Sequence, residues 1–397
     1  MDTPALAAMR LTELPPYPSS RNADSAASMI AWRLRAISRA FGSSSAQVRT
    51  WSLRSSVALT EHTTALTIAT YESDCFRMAV NRMAVWPYDV RSEMPNTDIP
   101  RVLVLGATGR IGAAVAGELE AMPGQVIPVR ASRSGTTVER WIAAGQEAVC
   151  VDLDDPDTFA GALKGIDRVF LVTGYTSAMN HQTKTFVDAA EDAGVDFLVH
   201  LGVFGDGRST DPHFAWHELV ERYIAGSTLA WANVHPHVFM ENLLGINGPR
   251  DGQLVWPMGD KRVGWVAGAD IAAVAARVLA EGPETHAGKD YYLSTDLLNG
   301  TEVAEALSDA LGREIPALVL TPADLQRMIE AGLDIAPADM DAAYAASTLI
   351  WARQTYEGRF DHGAVTTSTV EDLLGREPVR LREWAAAHHQ ELLDRLP

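Results

Sequence analysis

Three glycines spaced by three, Gly106, Gly109 and Gly112, stand directly after the apolar run VLVL and directly before IGAAVAGELE, whose apolar spacing is helical. Glycine at a strand-to-helix turn lets backbone amides approach a pyrophosphate without a Cβ in the way, and the helix N-terminus adds partial positive charge. Residues Gly106, Thr108, Gly109, Arg110, Ile111 and Gly112 therefore read as the phosphate loop of a dinucleotide site. The next strand runs into Arg130, with Ser132 and Arg133 following, where a site for NAD usually carries an acid on the ribose 2′-hydroxyl. Two guanidiniums beside a serine suit a 2′-phosphate, so NADPH is expected ahead of NADH; a solvated loop is the plainer alternative for both arginines. Asp152, at the end of the third strand, is placed either to accept a hydrogen bond from the adenine amino group or to cap the turn that follows.

In an open α/β sheet the ligand lies beyond the carboxyl ends of the strands. That rule selects Thr173, Gly174 and Tyr175 after the fourth strand, Phe204 after the fifth and His235 after the sixth. Thr173 and Gly174 let the backbone pass close to a nicotinamide ribose, and Tyr175 can donate a proton. Phe204, Trp216, Phe239 and Met240 offer an apolar wall for an aromatic acceptor, with Asn242 and His213 as polar contacts. His213 and His217 are one helical turn apart, and His217 is the expected proton donor to a reduced oxygen or nitrogen. A zinc set of His213, His217, His235 and His237 can be drawn from the spacing, but no His-Glu-x-x-His motif supports it, and no metal is expected.

The elements that must hold these residues follow from residue 101 onward. Short apolar, β-branched runs (101–105, 125–129, 148–151, 168–172, 197–201 and 229–234) alternate with helical patterns (111–121, 136–144, 156–162, 180–193 and 215–224). This alternation predicts βαβ units on a doubly wound parallel sheet, an α/β Rossmann fold. Beyond residue 244 the pattern loosens into helices at 270–281 and 301–311, a strand at 289–293 and a helical tail at 379–396. The expected organisation is a low-structure extension over 1–99, a nucleotide-binding domain over 100–244, and a smaller substrate lobe over 245–397.

The chain has 397 residues with a net charge of −18, and residues 1–99 are close to neutral, with ten Arg and nine acids. The acidity therefore sits on the later segment, which argues against a nucleic-acid or anionic-membrane partner. Two cysteines, Cys75 and Cys150, are too few for a disulfide framework, so a cytoplasmic location is expected. The Ser, Ala and Arg bias of the first sixty residues is transit-peptide-like. The better reading is that Met94, which opens MPNTDIPRVLVLGATG, is a domain start, with the preceding residues an extension or upstream sequence.

The segments VLVLGATGRIG, VDLDDPDTFAGALKGIDRVFLVT, HELVERYI and HPHVFMENLL, with GREPVRLREWAAAHH near the C-terminus, resemble the NmrA-like branch of the atypical short-chain dehydrogenase/reductases. The resemblance covers residues 100–397. It implies a Rossmann fold, an NAD(P)H cofactor and one of two activities, because the branch holds quinone, azo-dye and triphenylmethane-dye reductases as well as NADP-sensing regulators. Classical relatives use Tyr-x-x-x-Lys, a pair absent here: Tyr175, Tyr223, Tyr291 and Tyr292 are followed four residues later by Met179, Ser227, Thr295 and Asp296. Where relatives often carry a lysine four residues before a glutamate, this chain has His217 before Glu221. The expected function is hydride transfer from NADPH to a small conjugated or aromatic acceptor, with an NADP(H)-sensing binding protein as the alternative and a homodimer as the allowed assembly.

Overall fold

The computed structural model describes residues 99–174, 176–207, 209–245, 247–331 and 341–396. The expectations for the first 98 residues and for Tyr175 lie outside these. Seven parallel strands form the main sheet: β1 (Arg101–Val104), β2 (Ile127–Ser132), β3 (Glu147–Cys150), β4 (Arg168–Leu171), β5 (Phe197–Leu201), β6 (Ala230–Pro236) and β10 (Lys289–Leu293), in the order β10-β6-β5-β4-β1-β2-β3. β1 lies between β2 and β4, so the strand order reverses at the end of β1, where the glycine loop begins.

Both faces of β1 are buried, as its unbroken apolar run requires. Val102 and Val104 face α1 (Arg110–Glu120), whereas Leu103 and Leu105 face the opposite layer. That layer follows α2 (Gly135–Ala143) in the chain and consists of α3 (Phe159–Ala162), α4 (Met179–Ala193) and α5 (Pro212–Ala225). The doubly wound sheet expected from the sequence is therefore present. Each strand and helix end falls within a few residues of its expected place, with two informative differences. β2 extends through Ser132 because β3 pairs with it from Val129 onward, and Pro128, which has no N–H to give, precedes that pairing. α5 starts at Pro212, with Asp211 as its cap accepting from the Phe214 amide at 3.2 Å, so His213 lies in the first turn.

Beyond residue 244 the chain does not stay in a separate lobe. α6 (Gly268–Glu281) packs on α1, covering one face of the sheet with Val274, Val278 and Leu279, and α7 (Pro283–His286) leads into β10, the edge strand beside β6. The boundary expected at 244 is corrected accordingly: the Rossmann sheet is completed by residues 268–293. The lobe is built from the remaining strands, β7 (Val238–Phe239) and β11 (Asp296–Leu298) flanking β9 (Val263–Val266), and β8 (Leu254–Trp256) paired with β12 (Ala317–Val319). Its helices are α8 (Gly300–Leu311), α9 (Pro322–Glu330), α10 (Ala342–Tyr356), α11 (Thr369–Leu374), α12 (Leu381–Ala387) and α13 (His389–Leu393). Trp256, Trp265, Leu307 and Trp384 form its core. Among the described residues no helix is long and apolar enough to cross a membrane.

Candidate active site

The glycine loop has the geometry that its residues predict. Gly106 adopts φ +63°, and a Cβ there would stand 2.6 Å from Val172 Cγ1. At Gly112 a Cβ would stand 2.2 Å from the Gly106 carbonyl oxygen, so the helix can approach the loop only with glycine at that position. Gly109 occupies the cap position of α1, where no side chain caps the helix and no acid stands in the first turn. The first amides of α1 and the exposed Gly106, Thr108 and Gly109 therefore form a cradle that fits a pyrophosphate. Ile111 turns its side chain into the core, leaving its backbone to face a ligand. Arg110 donates from Nη1 to the Glu241 carbonyl at 3.1 Å, tying the loop to the lobe.

At the end of β2 the two arginines part company. Arg130 is 8 % exposed, its Nε and Nη2 donate to Glu120 Oε1 at 3.2 and 2.9 Å, and its guanidinium lies 5.8 Å from the Trp141 ring centre. Strand pairing draws it inside, so it is not a solvated loop residue; Arg133 is the exposed member. Asp152 accepts from the Asp154 amide at 3.1 Å and closes the turn, while Asp155 caps the short helix at Pro156–Thr158. Thr173 is half-buried and Gly174 exposed at the end of β4.

Beyond the ends of β5 and β6 opens an apolar pocket of about 370 Å³. Phe204, His213, Phe239 and Asn242 line it as expected, together with His237 and Trp256. Three expected members do not, and the first, Met240, is wholly buried in the core of the lobe. Trp216 is drawn against the core beneath the sheet, because α5 packs on α4 and β6. His235 points into a neighbouring cavity of about 170 Å³, where its Nε2 lies 3.0 Å from Glu221 Oε1.

His217 lines this second cavity as well, and not the apolar pocket. Its ring centre is 5.5 Å from that of His200 and 4.9 Å from that of His213. Burial, aided by the three neighbouring imidazoles His200, His213 and His235, holds its pKa well below the usual 6.5. Of the neutral and cationic forms open to His217 as the expected proton donor, burial selects the neutral ring at neutral pH. The zinc set drawn from spacing is not assembled either, since His237 lies against Phe204, 5.1 Å between ring centres, on the other side.

Sequence reasoning missed three residues here. His200 interrupts the otherwise apolar FLVHL of a wholly buried strand, which was a signal in itself. Asp211 sits before Pro212, a cap signature, and burial raises its pKa despite the Ser347 hydroxyl bonded to it. Glu241 accepts from the Gly268 amide at 3.0 and 2.9 Å and from Trp384 Nε1 at 3.0 Å, joining α6 and α12 where Arg110 also arrives.

Burial holds His200, His213 and His237 at about 4, below their usual 6.5. These rings are neutral when folded and take up protons when unfolded, so the stability they lend is whole above about pH 6.5 and is lost as the pH falls towards 4. Each contributes up to about 1.4 kcal/mol per pH unit. Urea midpoints of the metal-free protein should fall steeply between pH 7 and pH 5, values that bracket the upper part of that window. A flat profile would show that these rings are not buried as neutral imidazoles.

Comparison with known proteins agrees with this architecture. The model of the NmrA-like family matches residues 99–385. An NAD(P)H azoreductase of Xenophilus azovorans is 30% identical over 294 residues, covering 72% of this chain and 97% of that protein. Citrobacter sp. triphenylmethane reductase, solved with NADP(H), superposes with a TM-score of 0.61 at 21% identity, covering 73% of this chain and 99% of the other. The negative transcriptional regulator Nmra superposes with a TM-score of 0.60 at 18% identity, covering 75% and 99%. The glycine cradle at the switch point of a seven-stranded parallel sheet and a family match across nearly all the described residues lead to one assignment: the chain belongs to the NmrA-like family.

Proposed function

We propose that the protein is an NADPH-dependent reductase acting on a planar conjugated acceptor of the quinone, azo or enone class. The observation that carries the reading is the apolar pocket at the carboxyl ends of β5 and β6, the place where an open α/β sheet presents its ligand. The reductase name of the Xenophilus relative supports it. The loop from Gly106 to Gly112 would hold the pyrophosphate, Arg133 the 2′-phosphate, and Thr173 and Gly174 the nicotinamide ribose; Asp152 would reach the adenine with its second oxygen. When bound, the cofactor supplies the hydride. Phe204, Phe239 and Trp256 would hold the acceptor flat and exclude water, and His213, His237 and Asn242 would orient its polar edge. Near-attack alignment can supply several kcal/mol, roughly, and an electron-poor acceptor needs little acid help. Of the two expected proton donors, His217 is a neutral ring that faces the second cavity and not the acceptor, which leaves Tyr175 for that role. A small-molecule acceptor is the main partner in this reading, a cytoplasmic homodimer its setting, and no nucleic acid or membrane takes part.

The test is NADPH consumption, followed by absorbance, against a panel of quinones, azo compounds, enones and aldehydes, with NADH in parallel. Multiple turnovers on one acceptor class support the reductase. Tight NADPH binding without turnover on any acceptor would move the assignment to an NADP(H)-sensing regulator; the structural neighbour Nmra is a negative transcriptional regulator. Arg133→Glu is expected to raise the KM for NADPH about tenfold, the worth of one lost charge-assisted contact, with little change for NADH. Equal effects on both cofactors would remove Arg133 from the 2′-phosphate site.

A further inference from the structure

Beside the acceptor pocket, three imidazoles and a carboxylate from three elements meet in a way the reductase reading leaves unused. His200 comes from β5, His217 and Glu221 from successive turns of α5, and His235 from β6. His200 is fully buried and neither of its ring nitrogens makes a hydrogen bond of good geometry, the Asn233 side chain being a polar neighbour from outside the cluster; Nδ1 of His217 and of His235 has no partner. Buried polar atoms are ordinarily partnered, and unpartnered ring nitrogens on both His200 and His217 beside the Glu221 carboxylate point to an occupant between them.

We propose that His200, His217 and Glu221 bind a divalent transition-metal ion, with zinc the best fit. One ligand atom from each residue lies within 4.8 Å of the other two. His200 Nδ1 is already 3.9 Å from Glu221 Oε1. Ligands about 2.0–2.1 Å from a tetrahedral ion sit roughly 3.4 Å apart, so small side-chain rotations close the set. Two imidazoles with one carboxylate match a borderline ion; calcium and magnesium require a cage of oxygens, and cuprous copper favours sulfur. His235 Nε2, 3.0 Å from Glu221 Oε1, is the outer partner that orients a ligating carboxylate. Gly202 makes room for the arrangement, since a Cβ there would stand 2.5 Å from Glu221 Oε1 and 2.8 Å from His235 Cδ2. Three protein ligands leave a coordination position open, and Glu221 and His217 face the 170 Å³ cavity through which an ion and its water can enter. Val203 and Phe214 line both this cavity and the acceptor pocket, so the ion would sit one side chain away from the acceptor.

The full-length protein, freed of metal by chelation, is titrated with zinc by calorimetry and with cobalt(II) by visible absorption. The expected result is one site of micromolar or tighter affinity, with cobalt bands of tetrahedral intensity, and a thermal midpoint raised by the metal. Glu221→Gln and His217→Gln should each weaken the affinity about tenfold or more. Gly202→Ala keeps every ligand but crowds the carboxylate, so it should weaken binding even if a ligand variant folds poorly; circular dichroism reports folding for all three. Absence of saturable binding would overturn the proposal, as would equal affinity in folded Glu221→Gln and Gly202→Ala proteins, which would place the ion on other histidines. None of these readouts depends on reductase turnover.

Discussion

Replacing Gly112 with valine is expected to abolish nicotinamide-cofactor binding. Any Cβ at this position would stand 2.2 Å from the Gly106 carbonyl oxygen and 2.8 Å from that of Leu105, both rigid backbone, so α1 must move away from the loop. The amides that face the pyrophosphate move with it. A weakening of at least about 100-fold, close to 2.8 kcal/mol, should appear in NADPH fluorescence titrations. Gly117→Ala, in the same helix, is the control: its Cβ would meet nothing within 4 Å, and alanine in a helix interior is favourable by about 0.5–1 kcal/mol. Gly109→Glu should also eliminate binding, chiefly through charge, because its Cβ contact of 3.3 Å is tolerable. If Gly112→Val bound NADPH within threefold of the wild type, the loop would not be the phosphate site.

The largest stability effect is expected from Glu241→Ala. The carboxylate is buried at 8 % exposure, receives the Gly268 amide at the open start of α6, and receives Trp384 Nε1 from α12. Truncation leaves two buried donors without acceptors, at a cost of about 3–5 kcal/mol. A fall in Tm of roughly 6–12 °C should follow for a chain of this size. Glu241→Gln keeps one acceptor oxygen and should lose less than half as much. Arg110 donates to the main-chain carbonyl of residue 241, which alanine keeps, so the readout is Tm, and a variant unchanged in Tm would refute this junction.

How far the sequence reveals the molecule differs from one feature to another. The glycine loop was legible because its parts are contiguous: an apolar run, a spacing of three and a helical period within twenty residues. The six strands from 101 to 234 were legible for the same local reason. Arg130 was misplaced because its environment depends on β3, which starts seventeen residues on and whose pairing prolongs β2 and draws the guanidinium towards Glu120 and Trp141. Trp216 and His217 are neighbours in sequence, yet one packs into the core and the other lines a cavity. That difference depends on the rotation of α5, which is set by the Asp211–Pro212 start and by packing against α4. The meeting of His200, Glu221 and His235 has no local signature, because three separate elements contribute and only the sheet order makes β5 and β6 adjacent.

The late position of β10 has a consequence for how the molecule is made. A ribosome that has released residue 244 has delivered six of the seven sheet strands, but neither the edge strand beside β6 nor α6, whose Val274, Val278 and Leu279 cover the sheet face shared with α1. Until about fifty more residues emerge, that apolar face and the open edge of β6 stay uncovered, a surface suited to chaperones or to self-association. A polypeptide cut at the end of the first six strands would carry the same defect permanently, so the nucleotide half of this chain cannot be harvested as an independent unit.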